Sequence, residues 1–155
     1  MSLSIRPAGS GEAALLAPLL GAYAAEMRGV LHGQATADAG AIAALLAADA
    51  RTELLVAWEG DAPQGFALFY DLPELVFARR CGQLDDLFVR AEVRGRGIAR
   101  ALVEAVGELG RVRGWSHLRW FVPEADQAAI ALYERIAERT SWRSYIQRLD
   151  PGASL

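Results

Sequence analysis

Residues 87–102, LFVRAEVRGRGIARAL, constrain this chain more than any other stretch. An apolar run suited to a strand passes into a short polar turn, then a glycine-punctuated, arginine-rich loop, then an amphipathic helix. Glycine at 95 and 97 lets the backbone turn tightly and approach a ligand closely, because no Cβ stands in the way. A helix opening near Ile98 turns its unpaired amide N–H groups, and the positive end of its dipole, back into that loop. With Arg94, Arg96 and Arg100 beside it, the loop predicts an anion site and a phosphate-bearing ligand. The competing description is a solvated basic turn between strand and helix, since short glycine motifs often match by chance.

Two phosphate-binding patterns do not fit. The dinucleotide fingerprint G-x-G-x-x-G is met at Gly95 and Gly97, but Arg100 stands where close helix–strand packing wants Gly or Ala. The loop also falls in the second half of the chain, leaving too little sequence after it for a doubly wound domain. A loop of the G-x-x-x-x-G-K-S/T type is excluded, because the chain contains no lysine.

With 155 residues, the chain is long enough for one domain with a full core. Its 53% hydrophobic and 23% charged residues argue against disorder. All 16 basic residues are Arg, and asparagine is absent as well, which resembles the codon bias of a GC-rich genome. A formal charge of −3 gives no general footprint for nucleic acid, so the arginines of 90–100 suit one small polyanion instead. Cys81 is the only cysteine, which rules out an intrachain disulfide or a cysteine-based metal site. A Cys81–His32 or Cys81–His117 nucleophilic pair lacks any local signature, and a buried structural cysteine is the commoner case. The apolar stretch 13–25 imitates a secretory signal, with Ala22-Tyr23-Ala24 as a cleavage site. Glu12 at its entrance and Pro18 and Gly21 within it argue otherwise, and no run reaches the ~18 residues of a membrane span. The expectation is a soluble, unprocessed, cytoplasmic protein with neither a membrane nor a nucleic acid as partner.

Periodicity and punctuation predict a strand at 2–6, a helix at 12–27 with Ser10 as N-cap, and a polar link at 28–34. A second helix follows at 38–48, then strands at 54–58 and 66–70 joined by a turn at 59–65. A long strand at 81–89 leads into the loop and a helix at 98–113. That helix carries Ile98, Leu102, Ala105, Val106, Leu109 and Val112 on one face, with Gly114 as C-cap. A strand at 117–122, a helix at 126–138, a last strand at 144–149 and a frayed tail at 150–155 complete the chain. No repeat, linker or second domain interrupts it, so residues 1–155 read as one domain.

Arg94, Gly97 and Ala99 fill the three defined positions of Gln/Arg-x-x-Gly-x-Gly/Ala. In this the loop resembles the acetyl-CoA-binding motif of the GNAT superfamily of N-acetyltransferases. Residues 126–133 resemble a second family element, Asn-x-x-Ala-x-x-x-Tyr, with Asp126 in place of Asn and Tyr133 at the end. The order β-α-α-β-β-β-α-β-α-β is also that of the GNAT fold. The resemblance implies an α/β (α+β) architecture: a mixed, mostly antiparallel sheet with about four helices on its two faces. It further implies that the fourth and fifth strands splay apart to admit acetyl-CoA. The pantetheine arm would pair with backbone at Leu87, Phe88 and Val89, and the pyrophosphate would sit on the amides of Arg94, Gly95, Arg96, Gly97, Ile98 and Ala99, beside Arg100. No metal is needed.

The same resemblance implies direct transfer of acetyl to a primary amine, aided by proximity and by a carbonyl-polarising amide at a bulge near Phe88 or Val89. The amine must first lose a proton. Asp85 and Asp86 are candidates, alternation placing them on opposite faces. The run from Asp85 to Val89 resembles the Glu-Asp-Phe-Phe-Val segment of diamine and polyamine acetyltransferases, where the first acid serves, which points to Asp85. Equally, both acids could pair with Arg79, Arg80 or Arg90. Tyr133 is the candidate acid that protonates the departing thiolate, and Asp126 either contacts the pantetheine arm or only caps its helix. Glu26, Met27, Arg28, His32, Asp71 and Glu74 are expected around the acceptor, where three acids suit a cationic di- or polyamine or a basic amino acid. Acetylation of a protein amine and a non-catalytic acyl-CoA sensor are the alternatives. A homodimer is expected by analogy alone.

Overall fold

The computed structural model describes residues 2–33 and 36–150, without the side chain of His32. The expected acceptor-pocket group of His32 and the tail past Asp150 thus lie outside the described residues. The elements are β1 (Leu3–Arg6), α1 (Ala13–His32), α2 (Ala39–Ala48), β2 (Glu53–Glu59), β3 (Ala62–Glu74), β4 (Arg79–Val89), α3 (Ile98–Arg113), β5 (Trp115–Arg119) and α4 (Gln127–Ile136). Single 3-10 turns at Ser10–Glu12 and Ala91–Val93 precede α1 and α3. The sheet runs β1-β2-β3-β4-β5, antiparallel throughout except for the parallel β4–β5 pair. This is the mixed α+β architecture that the sequence predicts.

Alternation along the central strands supplies one core to each face. Leu16, Leu19 and Leu20 of α1 pack with Val56, Trp58, Phe66, Leu68 and Phe88 on one side. Ile98, Leu102, Val103 and Val106 of α3 pack with Ala67, Phe69, Leu84, Val89 and Trp115 on the other. Helix α3 occupies the predicted residues, and Gly114 closes it in the left-handed region at φ 75°. Val112 departs from the predicted apolar face and is largely exposed.

Several boundaries differ from expectation. Strand β3 runs Ala62–Glu74 rather than 66–70 and takes up most of the expected turn, because its pairing with β2 begins at Ala62 and its pairing with β4 continues to Glu74. Helix α1 does not end at Met27 but continues through the expected link, because the left-handed cap falls at Gly33, whose N–H reaches Gly29 O. Residues 10–31 are therefore long and apolar enough to cross a membrane by length and composition, a test that a core helix also passes. Strand β5 starts at Trp115 and ends at Arg119, where its pairing with Gln83 of β4 ends. Residues 144–149 form no strand and join none of the five strands among the described residues.

Trp115 ties α3 to the β4–β5 pair. A Cβ at Gly82 would come within 2.2 Å of its ring, and one at Gly110 within 2.3 Å. Gly110→Ala should thus lower stability by about 1–3 kcal/mol through overpacking. Gly107→Ala, in the same helix with open space around it, should raise stability by about 0.5–1 kcal/mol. Thermal melts of the two variants check the opposite signs.

Candidate active site

Strand β4 is the longer partner in the parallel pair, and this opens the sheet. It pairs with β5 only between Arg80 and Gln83, whereas its pairing with β3 continues to Val89. From Leu84 to Val89 the backbone groups facing away from β3 therefore meet no strand. Residues past Arg119 turn away, and Trp120 packs edge-on against Tyr133 of α4 at 5.4 Å between ring centroids. Leu87, Phe88 and Val89 lie along this open edge, with the Phe88 and Val89 side chains buried in opposite cores.

Asp85 occupies a β-bulge. Leu68 opposes Asp86 and Phe69 opposes Leu84, which leaves Asp85 without a partner on β3. The bulge lies here rather than near Phe88 or Val89, where the ladder to β3 is regular. Its packing reason is visible. The extra residue moves Leu84 into the α3-side core and leaves Asp85 exposed, so that no carboxylate displaces a core side chain.

Asp86 is half-buried on the α1 side and accepts a 2.5 Å hydrogen bond from Tyr23 Oη. Burial pushes its carboxyl above the ordinary aspartate range, the Tyr23 bond opposes this, and the charge of Asp85 adds to it. Tyr23 sits against Phe66 at 5.4 Å and Phe88 at 5.7 Å. Burial raises its own pKa, as do Asp86, Asp85 and Tyr133, all within electrostatic reach. Sequence reasoning met Tyr23 only within the apolar stretch 13–25, and nothing local showed that it meets an acid 63 positions away.

Tyr133 is half-buried, and desolvation followed by the charge of Asp126 raises its pKa to about 12. It keeps its proton at neutral pH. Asp126 caps α4, its Oδ1 accepting from Ala129 N at 3.1 Å.

The arginine-rich loop is built on backbone. Gly95 and Gly97 both have φ 79°, a conformation that residues with a side chain rarely adopt. Gly97 is the N-cap of α3 and has no side chain to satisfy the first-turn amides of Ile98, Ala99 and Arg100. The guanidinium groups point elsewhere. Arg94 donates to Val89 O at 2.9 Å and to both oxygens of Glu26 at 2.8 Å, while lying 5.5 Å from the Phe88 ring. Arg96 pairs with Glu59, Arg100 with Glu104, and Arg90 donates to Pro63 O. The anion-binding capacity rests on amides and the helix dipole more than on arginine charge.

The acids expected around an acceptor are also engaged. Glu26 holds Arg94, Asp71 holds Arg80 and Arg113, and Glu74 accepts from the amides of Val76 and Phe77. Arg28 reaches Thr36 O. At the open edge, neither Asp85 nor Asp86 is ion-paired with an arginine among the described residues, and Asp86 has Tyr23 as its partner. Cys81 is wholly buried, and no metal-holding group of acids, histidines and cysteine occurs among the described residues.

Residues 21–137 match the model of the Acetyltransferase (GNAT) family. The chain belongs to the GNAT acetyltransferases. Thialysine N-epsilon-acetyltransferase from Caenorhabditis elegans is 34% identical over 84 residues, 52% of this chain and 50% of that protein. Its counterpart from Sus scrofa is 27% identical over 92 residues, 56% of this chain and 54% of that protein. The GNAT chain thus spans about half the length of the curated relatives it matches. Among solved structures, ribosomal-protein-alanine N-acetyltransferase from Brucella melitensis biovar Abortus 2308 superposes with a TM-score of 0.80 at 34% identity, covering 96% of this chain and all of that one. An aminoglycoside acetyltransferase, HMB0005, from an uncultured soil metagenomic sample does so with a TM-score of 0.76 at 27% identity, covering 97% and 100%. GNAT proteins use acetyl-CoA. The open β4 edge and the uncapped amides after Gly97 fit its elongated arm and its phosphates.

The state of Asp86 has a consequence for stability. Its folded pKa lies above the unfolded value, so its favourable contribution is complete below the unfolded value and lost as pH rises through the folded one. Asp86→Asn keeps an acceptor oxygen for Tyr23 and removes the buried charge. The variant should melt higher than the parent at about pH 7, with the gap closing by about pH 3. Melting curves across that range check it, and a lower melting temperature at neutral pH would contradict it.

Proposed function

We propose that this chain transfers acetyl from acetyl-CoA directly to a primary amine at the gap between β4 and β5. The observation that carries the proposal is the convergence of Tyr133, Tyr23, Asp85 and Asp86 beside the open β4 edge, next to an amide-lined loop at Gly97. Acetyl-CoA supplies the activated acetyl group as a thioester. Backbone at Leu87, Phe88 and Val89 would hold its arm, and the amides of residues 95–99 its phosphates.

The chain's own residues then do three things. Asp85, exposed on its bulge, accepts the proton that an ammonium must lose before it attacks. Asp86, fixed by Tyr23, adds negative potential beside it, which draws a cationic amine to the gap. Tyr133 retains its proton at neutral pH and donates it to the departing sulfur. Asp126 serves by setting the start of α4 and thus the position of Tyr133.

We infer a small amine, or a side chain, with one cationic group at the reacting end. Glu26, Asp71 and Glu74 are taken up by internal partners, which leaves one acidic pair rather than a row suited to an extended polyamine. The likeness to thialysine acetyltransferases supports a basic amino acid. The likeness to the ribosomal-protein-alanine acetyltransferase favours a second reading, a peptide N-terminal amine, which a substrate panel separates.

Release of CoA thiol should occur with basic amino acids and fail with acetyl-CoA alone. Tyr133→Phe should lower kcat by about 10²–10⁴-fold while thermal stabilisation by acetyl-CoA persists. Turnover confined to peptide N-termini would exclude the small-amine reading, and stabilisation without turnover on any amine would exclude catalysis. Because the loop binds through amides, Arg96→Ala should change the KM for acetyl-CoA by at most about threefold. Gly97→Val, which strains the left-handed backbone, should raise that KM at least about tenfold.

A further inference from the structure

Helix α1 is anchored along only part of its length. Leu16, Leu19 and Leu20 are buried and Tyr23 packs against the same core, but no described residue of the helix after Tyr23 belongs to either core. Helix α2 begins against Gly21, where a Cβ would stand 2.7 Å from that of Ala39. Past this point Glu26, Arg28 and Gly29 are exposed, and Val30 and Leu31 are 41% and 40% exposed. The loop before α3 is built in the same way. Val93 and Ile98 pack against the α3-side core, whereas residues 94–97 between them are all exposed.

These two weakly anchored segments are joined to each other. Tyr23 holds Asp86 of β4 at 2.5 Å, and Glu26 follows one turn later on the same face of α1. Arg94 Nη2 lies 2.8 Å from both carboxylate oxygens of Glu26, while its Nε donates to Val89 O. The Phe88 ring sits between the two ties, 5.7 Å from Tyr23 and 5.5 Å from Arg94. One tie ends on the strand and the other on the residue before Gly95. The Arg94 and Glu26 side chains are 45% and 43% exposed, so their pair adds little to the stability of the fold. Between segments that no core holds, however, such a pair transmits order. A ligand that fixes one of them lowers the entropy cost of fixing the other.

We propose that Glu26 is a positioning residue: by holding Arg94, it makes the order of α1 beyond Tyr23 depend on what occupies the loop at 94–97. Phosphates on the amides of residues 95–99 fix the loop, Arg94 with it, and through Glu26 the end of α1 that flanks the open β4 edge. The amine then meets a completed α1 wall only on the acetyl-CoA-loaded protein. The inference rests on the acetyl-CoA reading of the loop.

Hydrogen–deuterium exchange on the full chain, with and without CoA, tests it. In the parent, CoA should slow exchange at 94–99 and also, about two- to fivefold, at 24–31, which is the range an exposed ion pair can transmit. Glu26→Ala should keep the first effect and lose the second. Alanine is the better helix former, so weakened helix propensity cannot produce that loss. Glu26→Gln, which still offers Arg94 an oxygen, should fall between the two. A merely structural Glu26 would change exchange at 24–31 equally with and without CoA, which overturns the coupling. So does slowing at 24–31 that survives Glu26→Ala, or its absence in a parent whose 94–99 segment is protected. No effect of CoA at 94–99 overturns the acetyl-CoA reading itself, and the coupling with it.

Discussion

The Trp115 ring is the contact on which the other arrangements depend. It rests against Gly82 of β4 and Gly110 of α3, with Phe69 at 6.1 Å, and so locks the last turns of α3 onto the start of the parallel strand pair. At the other end of α3, Ile98 enters the same core as Val89. The helix is thereby held along its length, and its uncapped first turn faces the part of β4 that β5 has left. Glycine at 82 and 110 is a packing requirement, whereas glycine at 95 and 97 is a backbone one. The two pairs of glycines do different work on the same helix.

Charge organises the site more than it stabilises the fold. The arginine ion pairs are mostly exposed, and such pairs are worth about 0–1 kcal/mol. Their value lies in orientation. Arg94 bridges Val89 O at the end of β4 to Glu26 on α1, so the loop between β4 and α3 is tied to the opposite helical layer. Each arginine of the loop is held by an acid or a carbonyl. Asp86, half-buried, instead has a tyrosine as partner, which leaves a carboxyl held above its ordinary range next to an exposed one. This perturbed carboxyl lies beside the opening of the sheet, where perturbed groups commonly serve function.

Local signals were enough to read α3, its cap at Gly114, the glycine loop and the order of strands. These features are written in consecutive residues: an apolar stripe of helical period, a glycine where the backbone must turn left-handed, a break at each end. The end of α1 was misread because Gly29 and polar neighbours resemble a link, while the cap that decides it is Gly33. The strand at 144–149 was misread because alternation shows that a segment can pair, not that it has a neighbour. The bulge at Asp85 was invisible, since it depends on how β3 and β4 register around Leu84.

By itself, the sequence determined the family, the mixed sheet with its helices, and a loop that turns on left-handed glycines at 95 and 97. Backbone preference and periodicity are local properties, and they carry that much. Only the tertiary structure decided which acids stay available. Glu26 and Asp71 lost their freedom to Arg94 and Arg113, distant in the chain, Glu74 lost its own to the amides of Val76 and Phe77, and Asp86 gained Tyr23 across 63 residues. Pairing of charges and desolvation depend on distance in space, which neither composition nor spacing along the chain encodes.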